Sequence, residues 1–104
     1  MSGTPEGWEW DDDKAERNLS AHGVAFEAVA RLNFETIIDD EDRRFEYGER
    51  RFRWIVAVNG RLHVLIFTWR NGTKRVISLR KANLRERRYH EEASSSRAGT
   101  GRPR

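Results

Sequence analysis

Two Asn-Gly pairs, Asn59-Gly60 and Asn71-Gly72, constrain this chain more than anything else in it. Asn-Gly is the favoured centre of a two-residue type I′ hairpin. Both positions need positive φ there, and the resulting twist matches that of the paired strands. The runs they separate, RRFRWIVAV, RLHVLIFTWR and TKRVISLRK, are rich in β-branched and aromatic residues. Together they predict a three-stranded antiparallel meander over residues 50–81.

Two-residue loops also imply a register. Val58 should face Arg61, Arg70 should face Thr73, and counting back by twos sorts the side chains onto two faces. One face carries Ile55, Ala57, Leu62, Val64, Ile66, Ile77 and Leu79, with Arg51, Arg53, Arg70 and Arg75 at its far end. Being aliphatic, it is expected to bury under helices from the first half of the chain. The other carries Phe52, Trp54, Val56, Leu65, Phe67, Trp69 and Val76, with His63, Ser78 and Arg80 set among them. Polar groups beside aromatic rings suggest a groove there. This register makes His63 and Arg80 direct cross-strand neighbours, and likewise Leu65 and Ser78.

Around the meander the punctuation is helical. Asp11 is a candidate N-cap, Asp12 and Asp13 suit a first turn, and Gly23 fits the left-handed position after a helix ending near His22. Phe26, Val29 and Ala30 stand at helical spacing and mark a second short helix. Gly7–Trp10 reads as a short edge strand, and residues 39–49 as a polar surface loop. Asn83 caps a C-terminal helix over 84–92, in which only Leu84 and Tyr89 are substantial apolar anchors. The organisation is a flexible start (1–7), one domain (8–92) and a disordered tail (93–104).

The chain has 104 residues, no cysteine and a formal net charge of +3 that hides a strong asymmetry. Residues 1–49 hold five Lys/Arg against fourteen Asp/Glu, a formal −9, while residues 50–89 hold twelve Lys/Arg against Glu86 alone, +11. That points to a polyanionic partner for the second half, most simply nucleic acid. The competing reading is a solvated basic surface balanced by the acidic half. Lack of cysteine suits a reducing compartment. With no long apolar run and no leader-like N-terminus, a cytoplasmic chain without a membrane span is expected.

His22, His63 and His90 are scattered, and no carboxylate cluster has ligand spacing, so no metal or cofactor is expected. Metal-free RNA cleavage needs less. The 2′-hydroxyl attacks the adjacent phosphate if one group takes its proton, another protonates the leaving 5′-oxygen, and cations steady the phosphorane. Arg80, Arg75 and Arg70 suit the phosphate bidentately. His63, His22, Lys14 and Tyr89 can move protons. Lys81, Arg53, Arg85 and Arg88 add cationic contacts, and Trp54 and Trp69 can stack on bases. Lys14, Asn18 and His22 form one polar line on the first helix. Residue types leave cleavage and mere binding equally open.

Several ordered blocks carry a resemblance. Trp10-Asp11, Lys14, Asn18, His22-Gly23-Val24, Phe26-Glu27 and Ala28 form the first. Val64, Thr68, Arg70, Gly72, Arg75, Ile77-Ser78 and Arg80 form the second, and Arg85-Glu86-Arg87, Tyr89 and Glu91 the third. Over residues 8–92 the chain resembles the BrnT family, toxins of BrnT/BrnA type II toxin–antitoxin pairs. The resemblance implies an α+β, RelE-like fold: N-terminal helices on a small antiparallel sheet, then a C-terminal helix. It further implies a metal-independent ribonuclease that inhibits translation. Its partner would be a BrnA-like ribbon-helix-helix antitoxin in a heterotetramer that reaches operator DNA through the antitoxin. By matching position Arg70, Arg75, Arg80 and Tyr89 lead the candidates, followed by Lys14 and His22. Lys81 stands where the family often has arginine, and His63 rests on the register alone. A non-catalytic binding module on the same basic sheet is the alternative, and a domain that has lost activity is a third.

Overall fold

The computed structural model describes residues 4–40, 45–46 and 49–100, so most of the expected polar loop lies outside the described residues. In chain order come β1 (Trp8–Glu9), α1 (Asp12–His22), a 3-10 turn (Phe26–Arg31) and β2 (Leu32–Asp39). A short pair follows, β3 (Phe45–Glu46) and β4 (Glu49–Arg50), then β5 (Phe52–Val58), β6 (Arg61–Arg70), β7 (Thr73–Lys81) and α2 (Leu84–Thr100). The architecture is α+β. Five strands form one sheet in the order β1-β7-β6-β5-β2, with β1 parallel to β7 and the other pairs antiparallel.

The local signals account for much of this. Asn59 and Gly60 (φ 52° and 81°) and Asn71 and Gly72 (φ 55° and 79°) take the left-handed conformations that a type I′ turn requires. Val58 pairs with Arg61 and Arg70 with Thr73. Asp11 caps α1, accepting from the Asp13 N–H, and Gly23 closes it at φ 71°. Asn83 and Glu86 form a reciprocal capping box at the start of α2: the Glu86 N–H donates to Asn83 Oδ1 and the Asn83 N–H to Glu86 Oε1, each at 2.8 Å.

Four expectations need correction. The first is the face that buries. Trp8, Phe26, Val29, Val56, Leu65 and Phe67 belong to one core cluster, joined by Leu79, so the N-terminal elements cover the aromatic face and leave the aliphatic one to α2. Aromatic rings explain the choice, because they bury the most area and interlock edge to face. Trp54 and Phe67 sit 4.7 Å apart, Trp8 and Phe67 6.0 Å, and Trp10 and Phe26 5.8 Å.

The second correction is the register of β7. An extra residue at Ile77 makes a bulge, so that Ile66 pairs with Ser78 but Phe67 with Val76. Every residue from Ser78 to Lys81 therefore changes face. Leu79, fully buried, lies opposite Leu65, and His63 lies opposite Lys81 rather than Arg80. Without the bulge, Ser78 and Arg80 would point into the aromatic core, where a guanidinium without a partner is costly. The bulge turns Leu79 in and Arg80 out.

Third, the expected second helix is only a 3-10 turn, and it leads into an unexpected edge strand, β2. β2 is irregular between Asn33 and Ile38. There the Thr36 hydroxyl donates to Asn33 O at 2.7 Å and accepts the Ala57 N–H at 2.8 Å, standing in for a missing ladder bond. Fourth, α2 runs to Thr100, past the expected end at 92 and into the stretch expected to be disordered. Neither Leu84 (51% exposed) nor Tyr89 (44%) anchors it. Polar contacts do so instead, including a His90 Nε2–H bond to Thr36 O at 2.7 Å.

Candidate nucleic-acid interface

The face under α2 gathers arginines from two strands around one carboxylate. Arg53 projects from β5 and Arg80 from β7, both onto this face once the bulge is counted. Arg80 forks onto Glu86, Nη1 to Oε1 and Nη2 to Oε2, both at 2.8 Å. Arg53 Nη2 donates to the same Oε2 at 2.8 Å, and its Nε lies 3.0 Å from Asp40. Glu86 is only 7% exposed. The Arg80 hydrogen bond is the largest cause holding its carboxyl down at about 2, with the Asn83 N–H and the Arg53 charge adding to it against burial. The same bond holds the Arg80 pKa above its ordinary value.

The remaining arginines of this face find acids from the first half of the chain. Arg75 Nη1 donates to Glu9 Oε2 at 3.0 Å, its direct neighbour in the parallel β1–β7 pair. Arg70 Nη2 donates to Glu49 Oε1 at 2.6 Å and thereby holds that carboxyl below its ordinary range. The charge asymmetry of the sequence thus resolves partly into ion pairs: Glu9, Asp40 and Glu49 against Arg75, Arg53 and Arg70. Among the exposed cations, Arg85, Arg87 and Arg88 form a group on α2.

The proton-transfer candidates divide. Tyr89 follows Glu86 by three residues on α2 and so lies along the same side of the helix. His63 lies across the sheet from Arg80, on the face covered by the N-terminal elements. It is 6% exposed, and its Nδ1–H donates to Arg61 O at 2.7 Å. Burial is the main cause lowering its pKa, with the Lys81 and Arg61 charges adding to it, so the ring is neutral near pH 7. Lys14 and His22 ride on α1, packed on that same face. Between them Asn18 is buried, and its side chain bonds both backbone groups of Leu79 at 2.8 and 3.2 Å. The stripe on α1 is partly a structural staple. The structure brings Arg53, Arg80 and α2 together and keeps His63, Lys14, His22 and Lys81 on the other side.

Trp54 sits half-buried in edge-to-face contact with Trp8, Phe34 and Phe67. Trp69 is 50% exposed, with the Lys74 ammonium 4.9 Å from its ring. Among the described residues three concavities stand out, of about 630, 290 and 400 Å³, and neither Arg53 nor Arg80 lines any of these. Only the third adjoins candidate residues, being lined by Glu49, Arg50, Phe52, Thr68 and Trp69. Among the described residues no group of three His, Cys, Asp or Glu side chains is placed to hold a metal ion.

The sequence model of a family described as "Ribonuclease toxin, BrnT, of type II toxin-antitoxin system" matches residues 10–86, well over half of the chain. The chain belongs to the BrnT family. A search of curated proteins returned no match. Membership implies a ribonuclease toxin with an RNA substrate and an antitoxin partner. The matched span of this BrnT chain includes Lys14, His22, Arg53, His63, Arg70, Arg75, Arg80 and Glu86, and stops short of Tyr89.

Sequence reasoning about this BrnT protein missed Glu86 as the organiser of the arginine pair, and Glu9, Asp40 and Glu49 as partners. For Glu86 a signal was present. Asn83-x-x-Glu86 is a capping-box spacing, which places the glutamate against the start of α2 and hence beside the end of β7. The other three are long-range pairings that no local pattern announces. Among the described residues no helix is long and apolar enough to cross a membrane.

Proposed function

We propose that this BrnT toxin is a metal-independent, RelE-like endoribonuclease that arrests translation. The observation supporting this is the convergence of Arg53 and Arg80 on one carboxylate at a face closed only by a polar helix. A guanidinium carries five N–H donors, so Arg53 and Arg80, each only part-buried, have donors beyond those spent on Glu86 to offer phosphate oxygens of a developing phosphorane. Arg75 and Arg70, on the same face, extend the cationic track along the RNA backbone. The 2′-hydroxyl gives its proton to solvent water and attacks its phosphate, the 5′-oxygen leaves with a proton supplied in turn, and a 2′,3′-cyclic phosphate remains. Tyr89, three residues on from Glu86 along α2, gives its phenol proton to that leaving oxygen and regains one from solvent. His63, His22, Lys14 and Lys81 are assigned no part at this phosphate.

The neutralising partner is a BrnA-like ribbon-helix-helix antitoxin, in a heterotetramer that represses its own operator in a cytoplasmic setting. An acidic antitoxin segment on the exposed arginines of α2 would suffice for inhibition. One observation favours a second reading, a binding module without catalysis: Arg53, Arg70, Arg75 and Arg80 all already hold internal carboxylates.

Purified protein incubated with RNA in the presence of a chelator separates the two. Cyclic-phosphate products, lost when the RNA is 2′-O-methylated, are the expected result. RNA left intact at all protein and salt concentrations supports the binding module. In cells, expression without antitoxin should stop growth, and Arg80→Ala at equal protein level should restore it.

A further inference from the structure

The third concavity lies where β6 runs on past the start of β5 and the short strand β4 crosses its end. The Thr68 hydroxyl donates to Arg50 O at 2.7 Å and ties the two segments together. The hollow between them holds about 400 Å³ and is lined by Glu49, Arg50, Phe52, Thr68 and Trp69. Three features distinguish it from an ordinary surface dent. Trp69 keeps half its surface open, while the Lys74 ammonium, wedged 4.9 Å from its ring and 4.7 Å from that of Trp8, fixes the indole in place. Glu49 presents a carboxylate whose Oε1 already takes the Arg70 Nη2–H at 2.6 Å, leaving acceptor capacity on Oε2. A guanidinium adjoins it: Arg70, on the opposite face of the sheet from Trp69, reaches the hollow through its bond to Glu49, and Arg50 lines it directly.

An aromatic plate, an acceptor for N–H groups and a flanking guanidinium are what a stacked base with its phosphate requires. A lone exposed tryptophan at a strand end is usually only surface. One fixed by a cation, beside a hollow with an anionic acceptor, has more to do. We propose that this hollow is a nucleobase subsite. Trp69 stacks on one base of single-stranded RNA, Glu49 accepts from its amino or imino N–H groups, and Arg70, bonded to Glu49 from the other face of the sheet, holds the phosphate that follows round the strand end. The inference rests on the RNA-binding half of the reading above and is independent of cleavage. It places a residue of the substrate some way from the Arg53–Arg80 pair, because four ladder positions separate Arg75, the ladder partner of Thr68, from Arg80, roughly 13 Å.

The test uses the full chain and an uncleavable 2′-O-methyl oligonucleotide, compared with the same strand bearing abasic sites, with binding read by anisotropy. Wild type should bind the intact strand roughly 10-fold more tightly than the abasic one, the loss of one stacked base. Trp69→Ala should bind both equally, at the abasic level, and Trp69→Phe should recover part of the preference. Glu49→Gln should change which base is preferred while keeping the preference for an intact strand. Undiminished preference for the intact strand in Trp69→Ala overturns the proposal. Absence of cleavage of ordinary RNA with the Trp69-dependent preference intact overturns the enzymatic reading and sustains the subsite. Normal cleavage with no such preference does the reverse.

Discussion

The two faces of the sheet are built on different physics. On one, Phe26, Leu65, Phe67 and Leu79 are each at most 1% exposed, and the closing elements are α1 and the 3-10 turn. On the other, Ile55 and Val64 form a smaller apolar cluster, and α2 is secured mainly by the Glu86 carboxylate and the His90 bond. One face is shut by apolar burial, which is strong and indifferent to salt. The other is shut by ion pairs at the edge of solvent, which are weak in water and exchangeable for another anion. A protein that must present arginines to a polyanion is served by this division. The apolar face carries the larger share of the stability, and the arginine face holds part-buried ion pairs for which another anion can compete.

That contrast can be broken or sharpened by substitution, beginning with the largest effect. Phe67→Ala, at the centre of the aromatic cluster, should cost about 3–5 kcal/mol in denaturant unfolding. Asn18→Ala removes the side chain that satisfies both backbone groups of Leu79. It should cost about 1–3 kcal/mol, although Asn18 is polar and lies on a helix that reads as amphipathic surface. Glu86→Gln should cost less than a fully buried pair would, about 1–2 kcal/mol, because both arginines retain some contact with water.

The Glu86 effect has a pH signature. The folded pKa of about 2 lies below the ordinary 4.5, so the folded state binds fewer protons than the unfolded one between those values. The stability this carboxylate contributes is fully present above pH 4.5 and is lost as pH falls towards 2. Unfolding midpoints measured across that window should fall for wild type and flatten for Glu86→Gln. Smallest is Leu84→Ser. At 51% exposed, Leu84 supports nothing measurable, and its replacement should change stability by less than about 0.5 kcal/mol. A loss comparable to that of Phe67→Ala would mean that the α2 face is closed by apolar packing after all.

What could be read in advance followed from local chemistry. The Asn-Gly turns need positive φ, Asp11 and Asn83 offer the side chains a helix start needs, and the three long strands stand where their composition puts them. Beyond the turns, the register failed at one residue. A bulge adds a single position, and period-2 counting carries no record of it, so His63 and Arg80 were placed side by side when they lie on opposite faces. The same blindness hid β2, whose irregular middle breaks the alternation by which a strand is seen. The identity of the buried face is not legible in composition, because an aliphatic face reads as the better core, whereas the aromatic rings bury more. The arginine candidates were legible as a charge excess. Their partners were not, since Glu9, Asp40 and Glu49 reach them through tertiary structure.

Arg80 and Lys81 are adjacent in β7 and so point to opposite faces, and the bulge at Ile77 decides which of them joins Arg53, so comparing them is the most direct test. Single-turnover cleavage of one RNA substrate by Arg80→Ala and Lys81→Ala, each checked for folding, is the measurement. Loss of a phosphate-stabilising donor should slow the Arg80 variant roughly 100-fold, with the Lys81 variant within about 3-fold of wild type, the scale of a peripheral charge. The opposite ranking would move the reaction to the face of His63 and His22 and contradict the assignment made here.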